Sequence, residues 1–320
     1  MPSVRPNFFI VGAPKCGTTA LYHALRQHPE IFLPGAEGPH RYWIEKEPLY
    51  FCDDLDIADW VRVSQLEDYL ALFANAGDAK RIGEASALYL LSASAPRRIQ
   101  EFAAEDVRIL ILLRPPVDWM RSWHHDCLTY AHETIGDFSE ALAAEPDRAA
   151  GRRIPKTSGY PGCLHYRKAA RFSDHVTRYF ETFGRERVRV FLMEDLNRNP
   201  LGMVSDIFDF LDVSADFQPV IERRNDSKVL TRTHLWEFRL GRKLGSMQRA
   251  KQFLDRIPAQ PLDWYRRAML RLAPPLSDKR IDPNLRKRLV EEFRPEVERL
   301  SALLGRDLSH WNEVAPAPAA

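Results

Sequence analysis

Apolar residues along this chain follow two rhythms. Phe8–Val11, Val107–Leu113 (VRILILL) and Val188–Met193 (VRVFLM) are short β-rich runs, the pattern of strands in a parallel, buried sheet. Arg81–Ala85 is a shorter candidate of the same kind. Between these runs the apolar positions recur at helical spacing. In LHYRKAARFSDHVTRYFETFG, Leu164, Phe172, Val176, Tyr179 and Phe183 share one face, and Gly184 suits a C-cap. In NPLGMVSDIFDFL, Asn199 is placed as N-cap and Pro200 in the first turn, ahead of Val204, Ile207, Phe208 and Leu211. Asp282-Pro283 opens a last helix carrying Leu285, Leu289 and Phe293, which Pro295 is expected to kink or restart. The alternation predicts a single α/β domain over 1–320, a central parallel sheet with helices on both faces. From about Thr231 to Arg280 the chain turns basic, with Trp236, Phe238, Phe253, Trp264 and Tyr265 interspersed. That stretch reads as helices added to the core, solvated outside and apolar beneath.

Composition narrows the classes. With 45% hydrophobic and 28% charged residues the chain is an ordinary globular protein, and a net charge of +2 argues against nucleic-acid coating. Any anion site must therefore be local. Cys16, Cys52, Cys127 and Cys163 are widely spaced with no CxxC pair, which points to reduced thiols rather than a disulfide or zinc framework. The N-terminus lacks a basic region followed by an apolar run of signal length, and no stretch approaches the ~18 apolar residues of a membrane span. A cytoplasmic protein without a transmembrane segment is the expectation. Oligomeric state is open.

Candidate chemistry begins at GAPKCGTT, residues 12–19, between the first apolar run and a helical segment. A turn from buried strand to helix aims several backbone N–H groups and the helix dipole at one point, and that point favours an anion. Gly12 and Gly17 permit close approach, Thr18 and Thr19 add hydroxyl donors, and Lys15 sits on the arch of the loop. A nucleotide-triphosphate loop would end Gly-Lys-Ser/Thr, with an acidic residue on a neighbouring strand to help hold magnesium. Here Gly17 precedes Thr18, and VRILILL ends in Arg114-Pro115-Pro116. Arginine is a phosphate ligand, not a metal ligand. A nucleotide with a second, separate phosphate explains both departures, and no metal is called for.

These residues resemble a family. FFIVGAPKCGTTAL is similar to the 5′-phosphosulfate loop of the sulfotransferases that use 3′-phosphoadenosine 5′-phosphosulfate (PAPS), which have a P-loop NTPase-like fold. LILLRPPVDWMRSW is similar to their 3′-phosphate motif, an Arg at a strand end followed eight residues later by a Ser. KEPLYF (46–51), GEASALYL (83–90), SGY (158–160), RVRVFLMEDLNRNP and LLGRDLSHW extend the resemblance over most of the chain except 231–280. The resemblance implies that Lys15, Gly17, Thr18 and Thr19, with Pro14 and Cys16 of the same loop, bind the 5′-phosphosulfate. Lys15 would neutralise the bridging oxygen as the sulfuryl group leaves. Arg114 and Ser122 would hold the 3′-phosphate, with Tyr160 and either Asn225 or Ser227 of RRNDS (223–227) also at the nucleotide. The product would be PAP.

Transfer to a hydroxyl or amine also needs a group to take the acceptor's proton. Within the family, members acting on carbohydrates use a glutamate shortly after the first helix, and small-molecule members use a histidine. Lys46-Glu47-Pro48-Leu49-Tyr50-Phe51 resembles the glutamate type, which makes Glu47 the base, with Lys46 placed to moderate its basicity or to bind the donor. His124 and His125 are the rival bases, or acceptor-side residues. Glu84 and Ser86 are candidates for the floor of the acceptor cleft. Ala85 stands where heparan-type members often carry Lys, and the segment after 225 lacks their Cys-bracketed loop, so the acceptor class stays open: sugar, lipid-linked glycan, natural-product hydroxyl or amine. The basic 231–280 segment is expected to cover the acceptor side. Two other classes remain. A P-loop nucleotide kinase accounts for the loop alone, and a non-catalytic nucleotide-binding protein would have no need of both Lys15 and Glu47.

Overall fold

The computed structural model describes residues 4–35, 45–59, 61–221 and 280–313. The basic stretch 231–279, Asn225 and Ser227 lie outside them. Five parallel strands form the sheet: β1 (Phe8–Gly12), β2 (Ile31–Phe32), β3 (Arg81–Glu84), β4 (Arg108–Leu113) and β5 (Val188–Leu192), in the order β2-β3-β1-β4-β5. β1 is wholly buried at the centre, as its unbroken apolar run requires. The chain passes from β1 to β2 and β3 on one side, then to β4 and β5 on the other. Such a reversal opens a crevice above the carboxyl ends of β1, β3 and β4, where ligands of open α/β sheets bind.

The helices covering the sheet include α1 (Thr18–Leu25), α2 (Leu66–Ala71), α3 (Ala95–Phe102), α4 (Pro116–Thr129), α5 (Phe138–Ala143), α6 (Glu145–Ala149), α7 (Tyr166–Ala169), α8 (Phe172–Phe183), α9 (Met193–Arg198), α10 (Pro200–Phe210) and α11 (Pro283–Leu304). Asn199 caps α10 by accepting from the Gly202 N–H at 3.1 Å, and Gly184 ends α8 at φ 79°.

Three expectations change. The segment 164–184 is not one helix. Leu164 closes a 3-10 turn, Pro161–Leu164, and Arg171, at φ −80° and ψ 72°, separates α7 from α8. Met193 leaves the fifth strand and opens α9. Pro295 neither ends nor restarts α11, whose 22 residues run through it. The buried residues Leu285, Leu289, Val290 and Phe293 before the proline, and Val297 and Leu300 after it, anchor the helix on both sides. That packing against α4 and α8 outweighs one lost backbone bond.

Candidate functional site

The loop after β1 is held from below. The Ala13 N–H donates to the Leu112 carbonyl of β4 at 2.7 Å, and Trp119 Nε1 of α4 donates to the Pro14 carbonyl at 2.7 Å. Gly12, at φ 144°, lies so close to the Ala87 carbonyl that a Cβ there would sit 2.5 Å from the oxygen. Gly17 begins α1 at φ 89°, and no side chain caps that helix. The N–H groups of its first turn therefore present an anion site, with Thr18 buried and Thr19 half-buried beside it. Cys16 contributes backbone only. Burial pushes its thiol up to about 12, against the lowering influence of Arg114 and Lys15.

Arg114 directly follows β4 and turns onto this loop, with Nη1 donating to the Lys15 carbonyl at 3.3 Å. Its Nε is buried and has no hydrogen-bond partner among the described residues. A donor so placed can take an acceptor from a ligand. Lys15 stands at φ 63° with its side chain exposed, and its Nζ pairs with Asp126 Oδ1 at 2.8 Å.

Asp126 orients α4. Its inner face, including Trp119, Met120, Trp123, His124, Cys127 and Leu128, is buried. Ser122, His125, Asp126 and Tyr130 lie on the opposite, more open face. Ser122, Asp126 and Tyr130 follow at intervals of four, one stripe along the helix and its C-cap. Because Asp126 meets Lys15, the stripe borders the loop, with Ser122 on the side of Arg114.

Tyr130 links the loop to the second half of the site. Burial first, then the charges of Asp126 and Glu47, push its hydroxyl up to about 12. Asp126 and Glu47 thus both act on the Tyr130 hydroxyl. Glu47 Oε1 accepts from the buried Lys46 ammonium at 2.6 Å, and the Glu47 side chain is 23% exposed, open enough to meet a ligand. The strap carrying it, residues 46–51, is bonded along its length to the end of β3. The Ala85 N–H donates to the Lys46 carbonyl at 3.2 Å, the Leu49 N–H to Ser86 Oγ at 3.0 Å, and the Phe51 N–H to Tyr89 OH at 3.3 Å.

Four expected site residues sit elsewhere than the sequence suggested. Glu84 and Ser86 are fully buried beneath the strap, so they cannot form the floor of an open cleft. Burial pushes Glu84 up to about 7, opposed by its hydrogen bonds and reinforced by Glu47. His124 faces the core. Its Nε2 is 2.8 Å from the Ile135 carbonyl, and burial lowers it to about 4, which removes it as a rival base. Tyr160 is buried too, its hydroxyl pushed far up by burial and by the thiols of Cys163, Cys52 and Cys127, so it offers the loop no open face. His125 stays on the open face of α4. Asp126, Tyr130 and Trp119 were not singled out from sequence, although the four-residue spacing from Ser122 marks the first two.

Among the described residues no group of three His, Cys, Asp or Glu could hold a metal ion, and no helix is long and apolar enough to cross a membrane. Residues 5–239 match the family described as the sulfotransferase domain. A crystal structure of a sulfotransferase from Alicyclobacillus acidocaldarius superposes with a TM-score of 0.66 at 30% identity, over 97% of this chain and 100% of that one. Carbohydrate sulfotransferase 15 of Homo sapiens is 26% identical over 321 residues, 86% of this chain and 54% of that protein. Heparan sulfate glucosamine 3-O-sulfotransferase 6 of Mus musculus is 25% identical over 209 residues, 64% of this chain and 52% of that protein. The chain thus spans about half the length of the curated relatives it matches.

Proposed function

The chain belongs to the sulfotransferase domain family, and from that premise we propose that it transfers a sulfuryl group from PAPS to a hydroxyl or amine of an acceptor. One observation carries the reading: the Arg114 guanidinium meets the backbone of Lys15, so two anion-binding elements share one end of the sheet. The donor has two separate anionic ends, and the residues present fit both. Gly17, Thr18 and Thr19 at the start of α1 hold the 5′ end, with Lys15 above them. Arg114, whose Nε is buried without a partner among the described residues, holds the 3′-phosphate with Ser122. When bound, the donor supplies an activated sulfuryl group on a phosphate leaving group.

The rest of the chemistry belongs to this chain. Glu47 takes the proton of the acceptor as the new S–O or S–N bond forms. Lys46 pins one oxygen of that carboxylate and directs the other toward the acceptor. Lys15 exchanges Asp126 for the phosphate oxygen on which the electron pair of the broken S–O bond collects. A carbohydrate hydroxyl is the acceptor class suggested by the named relatives and by a glutamate base.

The test uses radiolabelled PAPS and a panel of sugar, glycolipid, phenol and amine acceptors. Lys15→Ala is expected to weaken PAPS binding and slow turnover together, because Lys15 touches the donor throughout. Glu47→Gln is expected to leave PAP affinity unchanged and lower turnover by roughly a hundredfold or more. Near-normal turnover in Glu47→Gln with loss of activity in His125→Ala would move the base to the histidine. Magnesium-dependent ATP binding tighter than PAP binding would replace sulfuryl transfer with the kinase reading.

A further inference from the structure

Glu84 is the last residue of β3, fully buried, and each of the three residues whose hydroxyls it binds also touches the strap that carries Glu47. Ser86 Oγ donates to Glu84 Oε2 at 2.6 Å and accepts from the Leu49 N–H at 3.0 Å. Tyr89 OH donates to Oε1 at 2.8 Å and accepts from the Phe51 N–H at 3.3 Å. Tyr69 OH of α2 donates to Oε1 at 3.0 Å, and its ring stacks on Tyr50 with centroids 4.6 Å apart. Leu49, Tyr50 and Phe51 are therefore each fixed by a residue whose hydroxyl points at one carboxylate. Leu49 itself is held at φ 54°, a left-handed conformation that a leucine adopts only when its surroundings impose it.

We propose that Glu84 is a positioning residue for the transfer reaction: its buried carboxylate orients Ser86, Tyr89 and Tyr69 so that they fix Leu49–Phe51 and, two residues away, the carboxylate of Glu47. This rests on the reading of Glu47 as the base. A carboxylate suits the task because it accepts all three hydroxyl protons at once and leaves the hydroxyl oxygens of Ser86 and Tyr89 free to accept from the strap. Protonation breaks that pattern. Glu84 must then donate one proton itself; the hydroxyl receiving it loses the acceptor for its own proton, and its oxygen is shared between the Glu84 O–H and the strap N–H.

The groups facing Glu84 are Tyr69 from α2, Ser86 and Tyr89 from the turn after β3, Glu47 from the strap, Cys52 just after it, and Tyr179 from α8. Burial holds the Glu84 carboxyl at about 7, so it changes charge near neutrality. Turnover should accordingly fall as pH drops through about 7, while PAP affinity stays level.

Glu84→Gln and Ser86→Ala test the route separately. With the best acceptor of the panel, both should lower kcat by roughly 10- to 100-fold, the usual cost of a misplaced catalytic group. PAP affinity should stay within about twofold, because neither residue touches the donor loop. The double variant should be no slower than the slower single variant, since both act through one connection. Glu84→Gln should also lose the dependence of kcat on pH near 7. Amide exchange should speed up in the peptide 45–52 of both variants and not in 8–19. If Glu84→Gln keeps kcat within twofold of the parent while Glu47→Gln abolishes it, the positioning role is refuted and the base stands. If Glu84→Gln fails to fold and Ser86→Ala turns over normally, Glu84 is a core residue only and the proposal also fails. If Glu47→Gln itself turns over normally, the base reading falls first.

Discussion

Replacing Arg114 with alanine tests the donor site most directly, because the structure separates what that side chain does for the protein from what it offers a ligand. Among the described residues it makes one long bond, from Nη1 to the Lys15 carbonyl at 3.3 Å. A neutral acceptor at that distance contributes at most about 1 kcal/mol. Its Nε is buried and makes no hydrogen bond among the described residues, so it remains available to a ligand acceptor. Charge-assisted bonds to a phosphate contribute about 1.5–3 kcal/mol each. Relief of the buried, unpartnered Nε offsets part of their loss. A net cost of about 2–4 kcal/mol is expected for a ligand with a 3′-phosphate, roughly 30- to 900-fold in Kd. AMP has no such phosphate, so its affinity should fall by no more than roughly fivefold, through the lost support of the loop. Arg114→Lys keeps the charge but not the fork, and should fall between the two. Isothermal titration with PAP and AMP, with and without EDTA, measures all of this. The assignment fails if the parent protein binds AMP as tightly as PAP. It also fails if Arg114→Ala weakens both ligands by the same factor.

What sequence could show is best seen on α4. Lys15 and Arg114 were legible because their roles follow from local chain geometry, a loop into a helix and the end of a strand. The partner of Lys15 was not, since Asp126 reaches it only once β1 and β4 lie side by side. His124 and His125 differ by one residue and so by about 100° around the helix. One joins Trp123 and Cys127 in the core, the other joins Ser122, and helical phase alone could have separated them. Glu84 and Ser86 misled for another reason. Polar residues at the end of a strand read as site residues, and only tertiary structure shows that two tyrosines and the strap seal them over. The strands were legible as short runs rich in apolar β-formers, except β2, whose two residues are too short to carry a pattern. The break before α8 was hidden because Leu164 and Phe172 keep a helical phase across it.

Two further outcomes are expected. Asp126→Asn should change stability by less than about 1 kcal/mol, because the pair with Lys15 is partly exposed. It should tighten PAP binding, since Lys15 no longer has a carboxylate to leave; unchanged or weaker PAP binding in titration would count against that exchange. The last concerns stability against pH. Burial lowers His124 and His175 from 6.5 to about 4 each, so between those values the unfolded chain binds more protons than the folded one and stability rises with pH. Glu84 acts in the opposite sense: raised from 4.5 to about 7, it holds its proton in the folded state, and stability falls as pH rises through that window. Near pH 5.5 two protons are set against one, so these groups together give a slope of about +1.4 kcal/mol per pH unit. The lowered carboxyls Asp54 and Asp195 lose their contribution only below about 3.8, outside the window. Glu84→Gln removes the opposing term, so the slope from these groups should roughly double, to about 2.7 kcal/mol per unit. Urea unfolding of parent and variant at several values between pH 5 and 6.2 measures the difference, in which every other group cancels. Parallel curves would mean that Glu84 is ionised in the folded protein throughout that range, and its burial would then be matched in full by the three hydroxyls that surround it.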